Sequence, residues 1–116
     1  MAAVTQTEKP GGTYLHSWTL TTADPTGDAV EFPGAPDKTV FITSAAWGAA
    51  TCVLEGSLDG GTTYVTLHDT GMTALSFTAN NNSAPVNENV LLIRPRLSVV
   101  GAGATVSVKL LSRSAR

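Results

Sequence analysis

The sequence contains a single cysteine, Cys52, among its 116 residues, so no disulfide can form within the chain. One unpaired thiol is compatible with synthesis in a reducing cytoplasm. The two histidines, His16 and His68, are far apart, and no spacing of histidine, cysteine or carboxylate residues matches a metal-binding motif. We therefore expect the protein to fold without a disulfide, a metal or another cofactor.

Charged residues are also scarce, at 14% of the chain with a formal net charge of −2. The seven lysines and arginines are dispersed and form no basic patch, so we expect neither a nucleic acid nor a membrane as a partner. No apolar run approaches the ~20 residues that span a bilayer as a helix. Residues 1–12 lack the basic and apolar regions of a secretory signal, which predicts a soluble chain that is not exported.

The sequence does contain segments in which apolar and polar residues alternate with a period of two. This alternation is clearest in residues 51–67, TCVLEGSLDGGTTYVTL. Every second residue from Cys52 to Leu58 is apolar or glycine, which predicts a half-buried strand with those side chains facing inward. The Asp-Gly-Gly sequence that follows favours a tight turn, because glycine tolerates positive φ angles. Residues 62–67 alternate again, so the whole segment predicts a β-hairpin.

Six further segments have strand-like alternation or composition between turn residues, and none has a helical period of useful length. They are residues 13–21, 29–32, 38–45, 73–79, 89–100 and 104–110. About eight short strands predict an all-β fold, an antiparallel β-sandwich with a jelly roll as the candidate topology. We assign residues 1–12 to a flexible N-terminal arm, 13–111 to a single domain and 112–116 to a loose C-terminal tail.

Three local expectations follow from turn and strand chemistry. Alternation in residues 13–21 places the aromatic residues of that strand, including Trp18, on an inward face. Residues 80–83, Asn-Asn-Asn-Ser, favour a turn, because asparagine tolerates left-handed backbone conformations. Pro95 lacks an N–H group, which predicts an edge position or a bulge for its strand.

The candidate contact residues are Arg94, Arg96 and Trp47. The two arginines flank Pro95 and project from one face of a strand, where planar guanidinium groups can bind carboxylates of a neighbouring subunit. The alternative is an ordinary exposed polar face. The aromatic residues allow two interpretations, a sugar-stacking platform or burial in a core or interface. They are Tyr14, Trp18, Trp47 and Tyr64.

Catalytic chemistry has no motif in this sequence. Cys52 could meet a histidine in three dimensions, but its strand position favours a small, inert, buried side chain. Four acidic residues lie among prolines and glycines that mark a solvated loop, so acid–base catalysis is the weaker interpretation. They are Asp24, Asp28, Glu31 and Asp37. We expect no enzymatic activity.

Two segments resemble small β-sandwich structural proteins that are encoded beside the major capsid protein of tailed bacteriophages. They are EGSLDGGTTYVTL, between Leu54 and Leu67, and IRPRLSVVGAGATVSVKLL, between Leu92 and Leu111. The resemblance implies a head decoration, or cement, protein that is made in the host cytoplasm and binds the assembled major capsid protein lattice as a homotrimer on the virion surface. It implies no catalytic residue. The alternative function is a carbohydrate-binding module of a phage tail or secreted assembly, with Trp18, Trp47 or Tyr64 stacking on sugar.

Overall fold

A computed structural model describes residues 1–9, 12–31, 37–88 and 90–113, and within them the chain is all β. The prediction of an antiparallel β-sandwich is confirmed, since two antiparallel sheets share one hydrophobic core. The strands are β1 Thr5–Lys9, β2 Thr13–Thr21, β3 Val30–Glu31, β4 Asp37–Ala46, β5 Thr51–Ser57, β6 Val65–Thr66, β7 Ser76–Phe77, β8 Asn82–Pro85, β9 Leu92–Val99 and β10 Thr105–Arg113.

The first sheet has the strand order β1-β2-β10-β4-β8, and the second has the order β3-β9-β5-β6, with β7 also paired to β5. Strands distant in sequence are therefore neighbours, and β10 lies between β2 and β4. The narrower assignment to a jelly roll stays a prediction.

The first sheet is built on the alternation that the sequence predicts. In β2 the side chains of Trp18 and Leu20 are buried, and in β10 those of Val106, Val108 and Leu110 are fully buried between outward-facing neighbours. Nine consecutive residue pairs join β10 to β2 in register, so the two inward rows pack side by side. The predicted inward face is confirmed at Trp18, whose indole N–H donates to the backbone oxygen of Asp28 at 2.8 Å, while Tyr14 on the same face is half-buried.

In the second sheet, β5 departs from the prediction of a half-buried strand. Cys52 and Leu54 face the core as expected, but Val53, Glu55 and Ser57 on the other face are buried as well. Other side chains and a loop cover this outer face, which is why alternation alone misjudged it.

The predicted inward position of Leu58 is wrong, since its side chain is 68% exposed. Strand β5 ends at Ser57, and beyond that point the alternation of the sheet no longer applies.

The return strand of the hairpin is also shorter than predicted, because residues 58–64 form a loop and only Val65 and Thr66 pair with β5. The predicted positive φ angles occur at Gly60 (77°) and Gly61 (96°). The loop satisfies its own backbone: the Gly61 N–H donates to Ser57 Oγ at 3.0 Å, and the Thr63 N–H donates to Asp59 Oδ1 at 2.9 Å. Donors that are bonded locally are not available to a strand ladder.

Two strands lie where none was predicted. The prediction of a flexible arm covers residues 1–12, but Thr5–Lys9 pair with β2 along their whole length as β1, and Ala2 is buried. Residues 10 and 11 lie outside the described residues. Asn82–Pro85 form β8 directly after the asparagine turn, whose Asn81 has the expected left-handed backbone at φ 59°. Neither strand has an alternating apolar set, so neither leaves a periodic signal.

The boundary between the domain and the C-terminal tail lies later than predicted, because β10 continues through Ser112, which is fully buried, to Arg113. Residues 114–116 of the predicted tail lie outside the described residues.

Pro95 sits inside the second sheet, in a strand that has β3 on one side and β5 on the other, so an edge position is wrong. The alternative of a bulge fits the strand but not Pro95 itself, since the β5–β9 register shifts between Leu97 and Val99. It lies opposite Leu54 in β5. The Leu54 N–H donates to Leu75 and its carbonyl accepts from Leu67, so the polar backbone groups of Leu54 point away from β9. The missing N–H of Pro95 therefore removes no hydrogen bond from the β5–β9 ladder.

We predict that Val108→Asp prevents folding whereas Thr105→Asp is tolerated. Val108 is fully buried and Thr105 is exposed on the same strand. Burying an unpaired carboxylate costs several kcal/mol, comparable to the ~5–15 kcal/mol stability of a domain. Thermal unfolding followed by circular dichroism measures the difference, and equal melting temperatures for the two variants would contradict the assignment of faces.

We also predict that the Cys52 thiol is inert in the folded protein. Its side chain is fully buried, and burial raises its pKa to about 12. Each pKa unit lowers the thiolate fraction about tenfold, so labelling at pH 8 should be about a thousandfold slower than in the unfolded chain. The same reagent applied in concentrated urea is the control, and comparable rates in both conditions would place Cys52 outside the core.

Candidate functional site

A cluster of charged side chains lies on the outer face of the second sheet, where β5 and β9 pair. The register places Glu55 opposite Arg94 and Val53 opposite Arg96. Ile93, Pro95 and Leu97 take the inward positions of β9, so the two arginines project outward together as the sequence predicted. We call Glu55, Arg94, Arg96 and Tyr64 the arginine cluster.

Both arginines bond to one carboxylate oxygen. The Nε–H of Arg94 donates to Glu55 Oε1 at 2.8 Å, and the Nε–H of Arg96 donates to the same atom at 3.1 Å. The side chain of Glu55 is 4% exposed, compared with 20% for Arg94 and 38% for Arg96. One buried carboxylate therefore faces two partly exposed guanidinium groups, and the cluster carries a net charge of +1.

Tyr64 holds the Arg94 guanidinium from its other side. The central carbon of that guanidinium lies 3.6 Å from the centre of the Tyr64 ring. Contacts of a guanidinium with an aromatic face contribute about 0.5–2 kcal/mol, more where water is excluded. The ring comes from the 58–64 loop, so the position of Arg94 depends on that loop as well as on the sheet.

The hydrogen bonds of Asp59 fix the shape of this loop. Asp59 Oδ1 accepts from the Thr63 N–H at 2.9 Å and from Ser57 Oγ–H at 2.7 Å. These donors favour the charged carboxylate and lower the pKa of Asp59 to about 2, with the backbone bond from Thr63 as the largest cause. The ionised side chain thus ties the end of β5 to the segment that carries Tyr64.

The sequence predicted that the two arginines would either bind a carboxylate of a neighbouring subunit or form an exposed polar face. The structure shows a third arrangement, in which Arg94 and Arg96 both form ion pairs with Glu55 of the same chain. Glu55 was the residue that sequence reasoning missed. The available signal was its charge, since Glu55 is the only charged residue in residues 51–58.

A groove of about 360 Å³ lies beside β6, on the side of the sheet that Gly56 and Val65 face, whereas Glu55 and Arg94 lie on the other side. Leu58 and Val65 line it with their side chains largely exposed, and Val90 lies on its opposite wall. Glu88 at its rim lies 2.6 Å from His68 Nδ1 and also accepts the His68 backbone N–H at 2.7 Å. This pair joins the β8–β9 connection to the chain between β6 and β7.

Trp47, the third candidate contact residue, lies apart from this cluster. It follows β4 and packs against the hydrophobic core with part of its surface exposed. Its indole Nε1 is buried and has no hydrogen-bond partner among the described residues.

The other aromatic candidates do not form an exposed row. Trp18 is 2% exposed and stacks near His16 with ring centres 6.3 Å apart, while Tyr64 lies under Arg94. These positions fit the interpretation of the aromatic residues as core and packing residues better than a sugar-stacking platform.

Three of the four acidic candidates for catalysis take separate roles, and the fourth, Glu31, is exposed on β3. Asp24 lies 3.4 Å from the N-terminal amine, Asp37 pairs with Arg113, and Asp28 uses its backbone oxygen for Trp18. Across residues 1–9, 12–31, 37–88 and 90–113, no group of three or more histidine, cysteine or carboxylate side chains is placed to hold a metal ion. The same ranges contain no helix long and apolar enough to cross a membrane.

Comparison with known proteins shows the fold and not the family. The sequence matches no protein-family model and no curated protein. Among solved structures, the fold is similar to that of the SPBc2 prophage-derived protein YomS, with a TM-score of 0.65 and 16% sequence identity. The match covers 86% of this chain and 93% of the other, so nearly all of YomS has a counterpart here.

We predict that acid releases the 58–64 loop at a pH well below the ordinary titration of aspartate. Because the folded-state pKa of Asp59 is lowered from 3.8 to about 2, the bonds of its carboxylate are fully present above pH ~4 and are lost as the pH falls through about 2. Carboxyl carbon chemical shifts of Asp59, recorded with the amide shift of Thr63, measure this step. Asp59→Asn removes the titratable carboxyl and should show no transition at the Thr63 amide, and a midpoint near 3.8 in the native protein would contradict the loop geometry.

Proposed function

We propose that this chain is a non-enzymatic phage virion protein that binds and stabilises the assembled capsid, as a decoration or cement protein on the capsid surface. The observation that carries the proposal is the similarity in fold to a prophage-derived protein over 86% of the chain. The resemblance of the segments at 54–67 and 92–111 to phage decoration proteins supports the same assignment.

The surface that we assign to the capsid contact is the arginine cluster. Arginine and tyrosine are the residues that most often dominate binding energy in protein interfaces. Here Arg94 and Tyr64 are held against each other, and the exposed Leu58 belongs to the same 58–64 loop as Tyr64. Trp47 stays a candidate contact on another part of the surface.

The outer face of the first sheet offers a separate contact surface between copies of the chain. Phe41 on β4 is 54% exposed, with Leu111 on the adjacent β10 and Leu15 on β2, the next strand beyond. The surrounding outward residues are mostly threonine and serine, and Lys109 is the only charged side chain lining this apolar depression. Few charges oppose self-association here, which supports a symmetric oligomer, and we propose a trimer.

Oligomerisation explains how such a small protein would recognise a shell and not its free subunits. A lattice presents equivalent contacts at fixed spacing, so a trimer that engages three weak sites gains affinity from effective concentration. A free capsid subunit offers a single contact. The proposed partner is therefore the major capsid protein in its assembled form.

We predict that the purified protein co-sediments with undecorated phage heads and does not bind unassembled capsid subunits appreciably. Binding to the shell should exceed binding to the subunit by about 10²-fold or more, the range that multivalency supplies. Sedimentation with each partner measures this ratio, and analytical ultracentrifugation of the protein alone gives its oligomeric state. Comparable binding to both partners, or a monomer at all concentrations, would overturn the proposal.

A further inference from the structure

We infer that Arg94 and Arg96 form a binding site for a carboxylate of a partner protein, in which Glu55 positions the two guanidinium groups and leaves one positive charge uncompensated. This inference names the chemistry of the partner group at the capsid contact, and it rests on the proposed function only for the identity of that partner.

The charge balance of the cluster is the first argument. One arginine is enough to neutralise the charge of one carboxylate, and Arg113 forms such an ion pair with the partly exposed Asp37 on the other sheet. Glu55 instead has two arginines, and in the described part of the chain neither makes an ion pair with any other carboxylate. Glu31, the outward residue of β3 beside this face, is not within ion-pair distance of them. The second positive charge therefore has no counterpart within the described residues.

The hydrogen-bond donors are the second argument. A guanidinium carries five N–H groups in a rigid plane, and each arginine uses its Nε–H on Glu55. The hydrogen bonds among the described residues use none of the terminal nitrogen atoms of these two side chains. Because both Nε atoms bond to the same oxygen, the two guanidinium groups lie close together, and their terminal nitrogen atoms are left for a further acceptor.

Pre-organisation is the third argument. Arginine side chains on a protein surface lose much of their rotamer freedom when they bind, and this loss weakens binding. Here Glu55 fixes both guanidinium groups in advance, and the Tyr64 ring fixes the plane of Arg94. Arg96, whose side chain is 38% exposed, remains accessible to an incoming group.

The geometry and charge point to an oxyanion, and a carboxylate is the form that a protein partner offers. Two parallel N–H groups of a guanidinium match the two oxygens of a carboxylate, which makes such pairs short and directional. A phosphate has the same oxygen geometry. The net charge of −2 and the lack of a wider basic patch argue against nucleic acid as its source.

The test titrates the isolated protein with glutarate and, separately, with inorganic phosphate, at low ionic strength. The readout is the set of arginine Nε–H signals in ¹⁵N-resolved NMR spectra. We expect saturable shifts of the Arg94 and Arg96 signals with glutarate, and no shift of Arg113. Non-saturating or absent shifts with glutarate would overturn the inference, and phosphate binding more than tenfold tighter than glutarate would overturn its assignment to a carboxylate.

Matched variants separate the binding role from a structural one. Arg96→Gln leaves a one-to-one pair of Arg94 with Glu55, so the protein should remain folded while its affinity for glutarate falls at least tenfold. Arg96→Lys keeps the charge without the planar group and should retain only part of the affinity. Arg113→Gln removes the arginine of the compensated pair and should bind glutarate as the unmodified protein does. Equal affinities of Arg96→Gln and the unmodified protein would overturn the inference.

Co-sedimentation of the same variants with undecorated heads distinguishes this inference from the proposed function. If glutarate binds but the unmodified protein does not sediment with heads, the oxyanion site stands and the capsid function is wrong. If the protein sediments with heads and Arg96→Gln does so equally well, the capsid function stands and the assignment of this site to the contact is wrong.

Discussion

Burial of β5 on both faces is the constraint on which the rest of the second sheet depends. The inner row of β5 packs into the core through Cys52 and Leu54, which are almost completely buried. The outer row contains Glu55, whose charge cannot be buried without compensation, because an isolated carboxylate in the interior costs several kcal/mol. Two arginines from β9 meet this requirement, and their long side chains cover the outer face at the same time.

The 58–64 loop completes that cover and couples it to the edge of the sheet. Asp59 closes the loop through Ser57 and Thr63, and the closed loop places Tyr64 against Arg94. The exposed carboxylate of Asp59 is thus linked to the buried carboxylate of Glu55 through the ring of Tyr64 and the guanidinium of Arg94. A surface held in this way has little conformational freedom to lose on binding, which suits a protein whose proposed role is attachment to a rigid lattice.

The two outer faces of the sandwich differ in character. The second sheet exposes positively charged groups around a buried carboxylate, while the first exposes threonine and serine around Phe41 and Leu111. This division allows one face to contact a partner and the other to contact further copies of the chain. In the proposed assembly both surfaces are used, and neither needs a catalytic group.

The strands that could be predicted from sequence are those with one buried row, such as β2 and β10, because burial selects apolar residues at every second position. The strands β1 and β8 could not be predicted. Their exposed residues show no alternation, and they are strands only because β2 and β4 offer them unpaired backbone groups. In the same way, the interior position of Pro95 depends on where the polar groups of Leu54 point, which is a property of the sheet and not of the local sequence.

The sequence by itself determined the all-β class, the inward rows of most strands, the turn at residues 59–61 and the shared face of Arg94 and Arg96. Each of these depends on residues within a few positions of one another, where side-chain alternation and backbone propensity act. Only the tertiary structure decided that Glu55 lies between the two arginines, since β5 and β9 are separated by more than thirty residues and the register of their pairing sets which side chains meet. The sequence therefore determines which charged residues the candidate site contains, whereas the pairing of β5 with β9 determines which of these charges compensate each other.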